Sequence, residues 1–356
     1  MKFSLKTFIV VVAAGSLMNS GCSDSSKSSN VTTLDEKATL TDIATGVITP
    51  TYKDMYTRAQ TLDSLVALLK TSQTDEILNS AKQAWRDARR PWEQSEAFLF
   101  GPVDTKGIDP NIDSWPVNKI DLDGVLNGNE ELTKERINQL ETTQRGFHTI
   151  EYLLFGGSNT KTAKDFTPRE IDYLTATTQS FKEAVFQLFN SWDVSGDNYS
   201  ANLINAGVTG SSVYTSQKGA VQEIIQGMIK ICDEVANGKI NDPFKEANRQ
   251  LEESQFSDNS NADFADNIRS VRNLYHGVYG SFSGKGISTL VAAKNTELDA
   301  RCKREIDASI DAIGAMLPSF GQAIFTNKAN VQGAQTAILK LRVTLEADVL
   351  PLVLGN

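Results

Sequence analysis

From Thr49 to the end of the chain, apolar residues return every three or four positions, and no stretch alternates apolar with polar as a half-buried strand does. That periodicity confines the fold to the all-α class. The spacing predicts helices over 52–70, 75–100, 130–155 and 168–192. After a Gly/Ser/Asn-rich connection at 193–212 it predicts further helices over 213–237, 243–254, 262–281, 285–317 and 327–350. Pro91 is expected to kink the second helix near residues 87–90, and Gly156-Gly157 to stop the third. Thr167-Pro168-Arg169-Glu170 has the form of a capping box with proline in the first turn, and the 285–317 segment should break near Asn295. About four main helices fall in each half, which suggests two packed four-helix bundles, one over 49–195 and one over 196–356. No short fixed period recurs, which argues against a solenoid.

The first 48 residues read differently. Residues 1–21 have the form of an export signal: Lys2 and Lys6, then the apolar run FIVVVAA, then Ser20-Gly21 before Cys22. The run is too short to span a bilayer as a mature helix. Cys22 followed by SDSSKSSN reads as a lipidated cysteine with a polar tether over 22–48, although Asn19 stands where such signals usually carry leucine. The expected location is therefore the bacterial cell envelope, lipid-anchored, with Ser23 favouring the outer membrane. The chain carries a net charge of −9 and no basic run, which argues against nucleic acid as a partner. Cys232 and Cys302 lie in helical patterns and are compatible with one disulfide or with two buried thiols.

The candidate chemistry lies where two apolar stripes are interrupted. On the second helix Trp85, Arg89, Trp92, Glu96 and Leu99 share a face; on the third, Leu140, Gln144, Phe147, Glu151 and Leu154 fall at the same offsets. His148 and Glu93 border these stripes. A carboxylate on a core-facing stripe is costly unless paired, hydrogen-bonded or bound to a cation. If the two faces meet, Arg89, Glu93, Glu96, Gln144, His148 and Glu151 form one enclosed polar cluster. Imidazole and carboxylate three residues apart recur as paired ligands in helical-bundle metal proteins, so His148 and Glu151 are the candidate metal ligands, completed by Glu93, Glu96 or water. The alternative is a buried salt-bridge network with His148 as a hydrogen-bonded core residue. The zinc-peptidase patterns H-E-x-x-H and H-x-x-E-H are absent, as is G-x-S-x-G, so the residues lean away from an enzyme. His276, the other histidine, is placed towards solvent. The long segment 101–129 carries Trp115-Pro116, expected to plug the bundle, and an Asp121–Gly124 stretch only faintly like a calcium loop.

Gly146–Glu151 has the pattern G-x-H-x-x-E and resembles the signature of the imelysin family. Three further stretches are similar in kind: WRDARRPWEQSEAFLFGP at 85–102, IDSWPV at 112–117 and SDNSNADFADNI at 257–268. The resemblance runs from about residue 35 to the C-terminus. It implies two four-helix bundles with the H-x-x-E region near their interface, in an envelope protein of a family classed by name as peptidases and associated with iron uptake. The motif carries over onto Gly146, His148 and Glu151, and less directly onto Glu96 and Trp115. The expected cofactor is iron or zinc, and the expected partners are the metal ion, the membrane through the N-terminal anchor, and an envelope iron-transport component. The other readings are a metallopeptidase of the imelysin type and a non-enzymatic binding or adhesion module whose polar cluster is structural.

Overall fold

The computed structural model describes residues 36–157 and 159–355. Cys22 and the expected signal lie outside them. Eight helices dominate: α1 (Thr49–Thr71), α2 (Asp75–Glu93), α3 (Phe147–Phe155), α4 (Pro168–Trp192), α5 (Gln217–Glu234), α6 (Ser260–His276), α7 (Thr296–Gly314) and α8 (Lys328–Thr344). Their starts follow from side chains that satisfy free backbone N–H groups. Thr74 caps α2, Thr167 and Glu170 cap each other's ends of the first turn of α4, Ser216 caps α5, and Asn295 caps α7. The break expected near Asn295 is present: Ile287–Ala292 forms a separate short helix before α7. Among the described residues the only strands are a two-residue pair, Val278–Tyr279 with Phe282–Ser283.

Helix α1 packs on α2 and α4, with α3 against both α2 and α4; α7 packs on α6 and α8, and α5 on α6 and α8. These two groups meet where α2 lies against α6 and where a 3₁₀ turn, Glu96–Phe98, lies against α5. The second contact is close. A Cβ at Gly227 on α5 would stand 2.1 Å from the Ala97 carbonyl oxygen, so only glycine allows that approach.

Four expectations need correction. The tether does not extend to residue 48: the chain is helical over Glu36–Asp42 and, through a π-helical turn at Ile43–Ile48, runs into α1. Leu40, Ile43, Ala44, Val47 and Ile48 are fully buried, at helical spacing, against α5 and the short helix Ser200–Ile204. The second helix ends at Glu93, with Pro91 in its last turn, and Ser95 Oγ donates to the Trp92 carbonyl oxygen at 2.6 Å as the chain leaves it. The third predicted helix is broken: 130–155 resolves into Lys134–Ile137, a 3₁₀ turn at Thr142–Gln144, and α3. The 243–254 helix shortens to Asn241–Glu246, stopped by Ala247 in the left-handed region at φ 46°. Cys232 and Cys302 are buried free thiols, so the disulfide option falls. No helix among the described residues is long and apolar enough to cross a membrane.

Candidate metal centre

Arg89, wholly buried on α2, is the hub. Its Nη1 donates to Asp113 Oδ1 at 2.5 Å, its Nη2 stands 2.6 Å from Glu93 Oε1 and donates to Glu253 Oε1 at 2.9 Å, and its Nε lies 3.4 Å from Asp263 Oδ1. Its guanidinium also lies 5.1 Å from the centroid of the Phe147 ring. Four carboxylates on one guanidinium hold its proton more tightly than usual, against the opposing effect of burial.

The G-x-H-x-x-E stretch is built to bring His148 to that hub. Gly146 has φ +80°, and a Cβ there would lie 2.5 Å from the Ile112 carbonyl oxygen. Glycine therefore lets the start of α3 press against the backbone next to Asp113. Trp85 Nε1 donates to the Phe147 carbonyl oxygen at 3.0 Å, tying the same turn to α2. His148 Nε2 then stands 3.1 Å from Asp113 Oδ1, at an angle that leaves the ring nitrogen without an aligned hydrogen bond. Trp92 Nε1 holds the other Asp113 oxygen at 2.5 Å. Burial opposes ionisation of Asp113, but Arg89 and His148 outweigh it and keep its carboxyl well below the usual range.

Glu151 faces away from this centre. Its Oε1 accepts from Phe256 N at 3.1 Å, Ser257 N at 2.8 Å and Ser257 Oγ at 2.7 Å, and its Oε2 pairs with His148 Nδ1 at 3.0 Å. It thus orients the imidazole and leaves Nε2 pointing to Asp113, as a carboxylate behind a metal-ligating histidine does. Burial and Arg89 lower the proton affinity of His148; Asp113 and Glu151 reverse this and push its pKa up to about 9.

The other half of the centre comes from loops and turns of the second group. Lys239, on a π-helical turn (Val235–Ile240) that continues α5, places Nζ 2.9 Å from Glu253 Oε1, 3.7 Å from Glu96 Oε1 and 3.8 Å from Glu93 Oε2. Asn267 Nδ2 donates to Glu93 Oε2 at 2.6 Å, and Ser254 Oγ to Asp263 Oδ2 at 2.5 Å. Burial raises the Glu96 carboxyl to about 8 and Asp263 to about 7, only partly relieved by Lys239 and Arg89 respectively. Among the described residues, two sets bring one donor atom each within 4.8 Å of one another: Asp113, His148 and Glu253, and Glu93, Glu96 and Asp113. His148 Nε2, Glu93 Oε1 and Glu253 Oε2 are buried without an aligned hydrogen-bond partner. Several carboxylates with lone pairs to spare, beside an imidazole that can release its proton to a metal, suit a divalent cation. A cleft of about 510 Å³ opens onto Glu96, Asp113, Glu253 and Lys239, with half-exposed Trp115 on its wall.

Arg89, Glu93, Glu96 and His148 therefore lie in the cluster, with Glu151 directly behind. Trp115 borders the cleft and donates from Nε1 to the Glu252 carbonyl oxygen at 3.2 Å. Gln144 lies outside the cluster: its amide caps the 3₁₀ turn before α3 and donates to the Asp121 carbonyl oxygen at 3.2 Å. His276 ends α6, half-buried and outside both donor sets. Lys239, Glu253 and Asp263 are not singled out by the sequence, and Asp113 stands out there only as part of the loop stretch before Trp115. Asp113 and Asp263 sit inside the IDSWPV and SDNSNADFADNI stretches, but neither has a periodicity that marks it as buried.

The imelysin family profile matches residues 48–347. This chain belongs to the imelysin family. A curated relative, iron-regulated protein A of Synechococcus elongatus, is 30% identical over 315 residues, 86% of this chain and 84% of that protein. A crystal structure described as a putative iron-regulated protein A precursor from Parabacteroides distasonis superimposes with a TM-score of 0.80 at 27% identity, covering 90% of this chain and 94% of that one. An imelysin-like protein from Psychrobacter arcticum shares the fold at a TM-score of 0.73 and 13% identity, over 90% of this chain and 95% of that one. The G-x-H-x-x-E stretch thus lies within an imelysin chain, and its histidine faces a cluster drawn from both groups of helices.

Proposed function

We propose that this imelysin captures iron, or another divalent cation such as zinc, for metal uptake, through His148 Nε2, Asp113 and Glu253, with Glu93 and Glu96 close enough to contribute. The observation that carries the reading is a charge imbalance in a buried place. Glu93, Glu96, Asp113, Glu151, Glu253 and Asp263, six acids, face four cations: Arg89, Lys239, the imidazolium of His148 and, beside Glu151 and Asp263, Arg86. Such an excess is relieved by protons or by a metal ion, and the raised carboxyl values at Glu96 and Asp263 are the proton half of that choice. The names of the relatives point the same way. Glu151, with both oxygens hydrogen-bonded and its carboxylate held behind the imidazole, is not disposed to act as the general base of a metallopeptidase. The reading includes export by residues 1–21 and a lipid anchor at Cys22, with an envelope iron-transport component as partner.

The test is direct. Purified protein is equilibrated anaerobically with Fe(II), and separately with Zn(II), and bound metal is counted by mass spectrometry. His148→Ala and Asp113→Asn should each reduce uptake at least tenfold while the far-UV spectrum stays helical. Equal metal content in wild type and both variants sinks the proposal.

A further inference from the structure

Lys239 shares the cleft wall with the carboxylates an entering ion would meet. It lines the cleft together with Glu96, Asp113 and Glu253, whereas Arg89 and His148 lie behind the lining. Its Nζ touches a member of each donor set: Glu253 of the set that includes His148, and Glu93 and Glu96 of the other. The ammonium therefore stands against carboxylates of both donor sets at the cleft wall. Arg89 also contacts these carboxylates, but its fork is gripped by Asp113, Glu93, Glu253 and Asp263 and has no exposed surface. Lys239 makes one close contact and two long ones on a flexible four-carbon stem, beside open space. One buried oxygen at the same place, Glu253 Oε2, has no aligned hydrogen-bond partner of its own.

We propose that Lys239 is a tethered competitor: its ammonium occupies the acidic centre in the cation-free protein and swings into the cleft when a divalent cation takes its place. This rests on the cation-binding reading above and adds to it a determinant of affinity and selectivity. A monovalent ion gains too little from the carboxylates to expel an ammonium that is already in place, whereas a divalent ion gains about twice the Coulomb attraction at equal distance. The π-helical turn that bears Lys239 has a corresponding role, because an inserted residue in a helix re-aims a side chain that regular geometry would place elsewhere.

Isothermal titration of the full mature chain with Zn(II) tests this, with Lys239→Met, Lys239→Arg and His148→Ala alongside the wild type. The expected result is at least tenfold tighter binding by Lys239→Met and no tightening by Lys239→Arg, which keeps the charge. The Zn(II)-induced rise in unfolding temperature should likewise be larger for Lys239→Met than for wild type. If that variant folds poorly without metal, Lys239→Gln gives the same comparison, and folding rescued by Zn(II) supports the proposal. Binding by wild type with no tightening in Lys239→Met or Lys239→Gln overturns the competitor while the cation site stands. No binding by wild type or any Lys239 variant overturns both.

Discussion

Gly146→Ala isolates the step that brings His148 to Asp113. The backbone at Gly146 has φ +80° and ψ −164°, a region that only glycine occupies readily, and forcing another residue into it costs about 1–3 kcal/mol. The new Cβ also meets the Ile112 carbonyl oxygen at 2.5 Å, a backbone atom that cannot rotate aside. Overpacking of that kind costs a further ~1–3 kcal/mol. The two share one relaxation, a retreat of Ile112 from α3, so the expected loss is roughly 2–4 kcal/mol rather than the full sum. Urea unfolding followed by far-UV circular dichroism measures it, with Gly157→Ala as control, since a Cβ there meets nothing within 4 Å. The control should change stability by less than about 0.5 kcal/mol. The retreat moves Asp113, so metal uptake should fall with stability even in the folded fraction. A loss below about 1 kcal/mol, or one equal to that of the control, would refute the idea that the motif glycine is needed for close approach.

Two further outcomes follow from the same geometry. Glu151→Gln places an amide N–H₂ against His148 Nδ1 if its carbonyl keeps the Phe256 and Ser257 donors, which moves the ring proton onto Nε2 and blocks the ligand position; metal affinity should fall about 10–100-fold, measured by competition with a chromogenic chelator, with the fold intact. The metal-free protein should lose stability as pH rises from about 6.5 to 9. The folded state binds more protons than the unfolded chain in that window, because His148 is raised to about 9 and Glu96 to about 8, so deprotonation favours unfolding. Denaturant midpoints against pH should slope downward for wild type and less steeply for Glu96→Gln; parallel slopes would show that Glu96 does not titrate there.

Much of the fold could be read from spacing, because long helices with one buried face leave their period in the chain. Periodicity places Trp85, Arg89 and Trp92 together on one core-facing stripe, and all three are buried in the structure. The matching stripe on 130–155 does not hold, because apolar spacing carries across breaks: the helix stops at Ile137, Leu140 lies between elements, Gln144 closes a 3₁₀ turn, and Gly146 starts α3 in a new direction. Residues 36–48 show the opposite error. Their apolar positions have helical spacing, but the Ser-rich run ahead of them drew the whole segment into a tether. In the centre, His148 and Glu151 were legible as neighbours on one helix. That Glu151 turns away to orient the imidazole is not legible, since it depends on the Phe256 and Ser257 amides, which lie more than a hundred residues away in sequence. Asp113, Glu253 and Lys239 come from loops and an irregular turn, where nothing periodic marks a residue as inward-facing.

Asp113 and His148 belong to one group of helices and Glu253 to the connection between α5 and α6 of the other, so an ion shared among them would be a rivet through the seam. Its capture free energy would hold the halves together, by about 2.7 kcal/mol with the ion at a hundred times its dissociation constant. Neither half expressed alone would own a complete set of ligands, and a loaded molecule would resist prying apart along this line more than an empty one.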